Sequence, residues 1–103
     1  MPVDSSKDTI RRQAAERLAH ARRELREHEQ TLAQLNYEWG IAKRMRSKAR
    51  DEDEREKWRI QSDAYMGMVL QQESTIGELK ETIDEHQKRL SDLDCQSVSE
   101  AIK

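Results

Sequence analysis

Apolar residues recur along this chain with a seven-residue period. The first stripe is Leu18, Ala21, Leu25, His28, Leu32, Leu35, Trp39 and Ala42, with steps that alternate between three and four. The second is Trp58, Ser62, Tyr65, Val69, Gln72, Ile76, Leu79, Ile83, His86, Leu90 and Leu93, alternating in the same way. Residues three and four apart share one face of an α-helix, and a sustained 3.5-residue repeat belongs to helices that pack along a seam. The positions between the stripes are almost all strong helix formers. The pattern predicts one helical domain over 1–103. Helix 1 covers about 5–47, a turn about 47–52, helix 2 about 52–94, and a tail 95–103 falls outside the heptads. At the start, Ser5 or Ser6 is suited to accept hydrogen bonds from the unpaired N–H groups of the first turn.

The turn is read from charge. Lys43-Arg44-Met45-Arg46-Ser47-Lys48-Ala49-Arg50 is followed directly by Asp51-Glu52-Asp53-Glu54. The C-terminus of a helix favours cations and the N-terminus favours anions, so one helix is expected to end and another to begin here. Charge also divides between the halves. Residues 1–50 hold 12 basic and 7 acidic side chains, and residues 51–103 hold 7 and 14, giving +5 and −7. A basic helix beside an acidic one is attractive along its length, whereas parallel self-association would set like charges together. An antiparallel two-helix coiled-coil hairpin is favoured over one long continuous helix, which would set Lys48 before Glu52 and Arg50 before Glu54 in the less favourable order. The hairpin puts Leu32 level with Val69, Leu25 with Ile76, Leu18 with Ile83, His28 with Gln72, and His86 near Ala14 and Ala15.

Composition narrows the class further. The chain has 103 residues, of which 34% are hydrophobic and 39% charged, against about 45–50% and 25% in ordinary globular domains. Such a chain cannot build a thick core around a buried active site. With three Gly, one Pro and no Phe, it also lacks the turn-formers of a sheet protein. The single cysteine, Cys95, excludes an intrachain disulfide. There is no apolar run long enough to span a membrane and no apolar leader after Met1, so a cytoplasmic protein is expected.

Near the turn there is more apolar surface than two paired helices need. Ala64-Tyr65-Met66-Gly67-Met68-Val69-Leu70 is apolar on every face of its helix, opposite Tyr37, Trp39, Ile41 and Met45. A helix that is apolar all round is buried all round, and exposed patches of this kind mark interfaces. Tyr37, Trp39, Ile41, Met45, Met66, Met68 and Leu70 are therefore the expected protein interface. A second copy would close it as a four-helix bundle, making a homodimer, and a different protein partner is the other occupant.

Little catalytic chemistry is legible. His28 and Gln72 form a polar layer in the seam, of the kind that sets register or oligomeric state. His20, His28 and His86 have no converging second ligand, Cys95 has no neighbouring base, and Gly40, Gly67 and Gly77 form no phosphate loop. The acidic run Glu81, Asp84, Glu85 lies on the outer face. No catalytic residue, metal or cofactor is expected. The leading expectation is a non-enzymatic interaction module: an adaptor, a chaperone-like subunit or a small inhibitor. An alternative is a nucleic-acid-binding hairpin dimer, with Lys43, Arg44, Arg46, Lys48 and Arg50 as possible phosphate contacts. Another is a structural subunit of a larger assembly.

Overall fold

The fold was obtained as a computed structural model, which describes the backbone of residues 2–102 and the side chains of residues 7–95. It contains two helices, α1 (Pro2–Lys48) and α2 (Glu52–Ile102), and no strand among the described residues. The chain is an all-α helical hairpin. Every position of both heptad stripes is buried or half-buried.

The outer helix ends differ from the sequence expectation. α1 starts at Pro2, ahead of Ser5. Proline suits the first helical turn, because the N–H it lacks would have had no partner there. The caps expected of Ser5 or Ser6 concern side chains outside the described residues. α2 runs on to Ile102 rather than stopping at Asp94, so residues 95–102 are helix and not a separate tail. That stretch contains no Pro or Gly. Extending an existing helix adds one hydrogen bond per residue without a new nucleation cost.

The turn is Ala49-Arg50-Asp51. Its chemistry is local. The Asp51 carboxylate accepts the Glu54 backbone N–H at 2.8 Å, which makes Asp51 the N-cap of α2. Glu54 stands three residues on, in the spacing of a capping box, and Glu52, Asp53 and Glu54 place negative charge on the first turn. At the other end, Arg46 and Lys48 lie in the last turn of α1. The Ala49 N–H donates to the Arg46 carbonyl at 3.3 Å, tightening that turn, and the Arg55 guanidinium reaches the Ala49 carbonyl at 3.5 Å. No described residue has a positive φ, which is why the reversal requires no glycine. Replacing Asp51 by alanine removes the cap and is expected to cost about 1 kcal/mol in urea unfolding. Asp51→Asn, which keeps an accepting oxygen, should lose much less.

Two compact units divide the hairpin: Arg26–Gly77, which contains the turn, and Met1–Leu25 with Glu78–Lys103. In the turn unit, Ala42, Ala49, Val69 and Ile76 are buried. Two hydrogen bonds cross its seam and set the register. His28 Nδ1–H donates to Gln72 Oε1 at 2.8 Å, and Trp39 Nε1–H donates to Ser62 Oγ at 3.1 Å. Facing positions in an antiparallel pair have a constant total of residue numbers, here 100 and 101, so Leu32 stands level with Val69 as the sequence predicts.

In the other unit, Leu18, Ala21 and Ile83 form a buried cluster with Leu25 and Leu90 packed against it. His86 shares a groove with Ala14, again as expected. Arg11 pairs across the helices with Asp94 at 3.0 Å. Both side chains are about half exposed, so the pair orients charge more than it stabilises.

Candidate functional site

The surface that the sequence singles out lies wholly within the turn unit. Seven-residue spacing brings Trp58, Ser62, Tyr65, Val69, Gln72 and Ile76 of α2 onto the seam. Residues outside that register must face elsewhere. Met66 and Met68 flank the seam on its two edges, and Leu70 lies further round. They are 43%, 51% and 58% exposed, beside a Val69 that is 3% exposed. On α1, Tyr37 is 62% exposed and Met45 is exposed too. Ile41 and Trp39 are half-buried. The expected interface residues therefore separate into two groups. Tyr37, Met45, Met66, Met68 and Leu70 project from the hairpin. Trp39 belongs to the seam, and Ile41 lies at its margin.

Trp39 joins the two helices. Its indole N–H is bonded to Ser62, a buried hydroxyl, and the Lys43 ammonium sits 3.9 Å from its ring centroid. A cation over an indole face is attracted by the ring quadrupole, so Lys43 is held on the side of the seam.

Ile60, also mostly exposed, is a further apolar side chain on the outside of α2 that the sequence reading missed. The available signal was its spacing. Ile60 is two residues from Ser62 and so cannot share the seam face of α2.

The basic residues are distributed less simply. Lys43, Arg44, Arg46, Lys48 and Arg50 are all exposed. Lys43, Arg46 and Ser47 line one groove together with Arg55 of α2, and no carboxylate lines it. Arg55 is a member that the sequence reading omitted, because it lies among acidic residues and beyond the turn. In the adjoining groove, Arg46, Arg55 and Arg59 meet Glu52, Asp53 and Glu56. Arg59 is engaged by carboxylates on its own helix, Glu56 at 2.9 Å and Asp63 at 3.0 Å. Its hydrogen bond holds the Glu56 carboxyl below the ordinary carboxylate range, with Arg46 adding a smaller electrostatic push. Part of the cationic charge at the turn is thus matched within the hairpin itself. Arg44, Lys48 and Arg50 line neither groove.

Among the described residues, no group of three or more His, Cys, Asp or Glu side chains could hold a metal ion, and no helix is long and apolar enough to cross a membrane. Glu81, Asp84 and Glu85 are exposed on α2, and Cys95 is an exposed free thiol. Compared with family models, curated proteins and solved structures, the chain finds no match.

Proposed function

We propose that this hairpin is a non-enzymatic protein-interaction module, and that the apolar surface of its turn unit is the contact. The observation that carries the reading is the exposure of Tyr37, Ile60, Met66, Met68 and Leu70 within a single unit whose seam is already closed. Isolated exposed hydrophobics are ordinary, but a set concentrated beside one turn is what an interface supplies. The methionines add an adaptable surface, since an unbranched thioether repacks against varied partners. A second copy is the first occupant to consider, giving a four-helix bundle in which basic α1 lies beside acidic α2 of the other chain. An adaptor, chaperone-like subunit or inhibitor would use the same face on a different protein.

The carboxylate-free groove of Lys43, Arg46, Ser47 and Arg55 favours one second reading, contact with nucleic-acid phosphates. Salt separates the two. Phosphate contacts weaken steeply with ionic strength, and apolar contacts do not.

The test is a Met66→Glu, Leu70→Glu double variant, two positions four apart on one face of α2. Both side chains are exposed in the hairpin, so helicity by circular dichroism should be retained. Two carboxylates at an interface core forfeit apolar burial and add desolvation cost. Light scattering is expected to show the mass falling to that of one chain. A variant that keeps the wild-type mass and all protein partners would sink the proposal. Loss of a partner on nuclease treatment or in high salt would transfer the function to the basic groove.

A further inference from the structure

In the other unit, Arg17 of α1 and Arg89 of α2 line one groove with His86, Gln13, Ile10 and Ala14, and no carboxylate lines it. The placement follows from the heptads. Arg17 directly precedes Leu18 and Arg89 directly precedes Leu90, so both hold the position that flanks the same edge of an antiparallel seam. Two guanidiniums on one edge repel each other. Across the helices of this unit, Arg11 pairs with Asp94. Neither Arg17 nor Arg89 makes an ion pair among the described residues. Two unpaired guanidiniums and an imidazole therefore share one groove that no carboxylate lines.

We infer that this groove binds a phosphate-type oxyanion, held by the Arg17 and Arg89 guanidiniums and the His86 imidazole. Guanidinium forks match the oxygens of a tetrahedral anion, and the Gln13 amide offers a further donor. An anion between the two guanidiniums offsets their mutual repulsion. Ile10, about half exposed at the groove's lip, gives an apolar substituent of a phosphate ester a surface to lie on. The His86 ring N–H is one more donor facing the groove. The charged groups around His86 are Glu16, Arg17, His20 and Glu24 on α1 and Arg89 on α2. His20 is engaged by Glu24 at 2.7 Å, which leaves His86 as the histidine free to meet the ligand. The site lies outside the turn unit and does not depend on the apolar contact proposed there.

The full chain is titrated with sodium sulfate at constant ionic strength, with the His86 ring and arginine Nε signals followed by NMR. Saturable shifts are expected at His86, Arg17 and Arg89. Arg17→Gln and Arg89→Gln should each weaken binding about tenfold. His86→Ala, which removes the ring donor, should weaken binding severalfold. A parallel titration with phenyl phosphate separates the sources. Tighter binding than sulfate, lost in Ile10→Ser, identifies an apolar phosphate ester, and equal binding identifies the free ion. Both results uphold the site. The glutamine variants also test the purely structural alternative, in which the arginine stems only cover the seam. In that case melting temperature falls while the anion response is unchanged. That outcome, or shifts that never saturate and spread over all arginines, overturns the inference.

Discussion

Replacing Trp39 with alanine is expected to lower the unfolding free energy by about 3 kcal/mol, the low end of the range for deleting a buried tryptophan, because this indole is half-buried. Three losses combine. The apolar body of the ring leaves the seam beside the turn. The Ser62 hydroxyl, 6% exposed, loses the indole donor that reaches it across the helices. The Lys43 ammonium loses the ring it sits over at 3.9 Å. Trp39→Phe separates these contributions. It keeps an aromatic body for the cation and the seam and removes the N–H with a smaller part of the ring, so it should cost about 1–2 kcal/mol. Denaturant unfolding followed by circular dichroism reads both variants. Equal losses would mean that the hydrogen bond dominates. A wild-type midpoint for Trp39→Ala would show that the seam near the turn does not rest on this residue.

Substituting leucine at both His28 and Gln72 should raise stability by about 2 kcal/mol, and it should loosen the control of partner number. The two side chains are half-buried and hydrogen-bonded at 2.8 Å across the seam. Full burial of a leucine is worth about 1.5–3 kcal/mol, and a half-buried position yields about half of that. The single changes behave differently. Leucine at position 28 alone leaves the Gln72 amide facing an apolar neighbour, which offsets most of the gain. A double-mutant cycle is therefore expected to show strong coupling between the two positions. The effect on assembly follows from the same chemistry. Any slipped or alternative packing leaves both polar groups unpaired in the seam, so the pair selects one arrangement, and two leucines select none. Light scattering across a concentration series should show one mass for the native chain and a mixture for the double variant. If stability and mass are both unchanged, the layer has no structural role.

Much of this fold was legible residue by residue. Every position that the alternating three- and four-residue steps picked out is buried or half-buried, because burial against a partner helix is imposed by a period that local sequence already carries. Ala14 and Ala49, buried too, lay beyond the stripes. The reversal near Arg50-Asp51 was legible too, although only as a change in charge. The cap was equally open to reading, since Asp51-Glu52-Asp53-Glu54 has the capping-box spacing, but the charge run concealed it. The outer ends of both helices were not legible. Nothing in a helix-forming stretch compels a stop, and caps or breakers set boundaries more sharply than the end of a hydrophobic stripe does.

The sequence by itself determined that two helices form, which face of each is buried and where the chain reverses, because periodicity and charge are properties of neighbouring residues. It also marked Met66, Met68, Leu70 and Tyr37 as surplus to the seam. Only the tertiary structure decided how the remaining side chains are shared out. Trp39, already a stripe position, found its indole N–H partner in Ser62 across the seam, Arg55 joined Lys43 and Arg46 from beyond an acidic run, and Arg17 came to share a groove with Arg89 of the other helix. Those neighbours come from different helices. Which of them meet depends on register and on the edge of the seam each one flanks, and antiparallel pairing sets both at once.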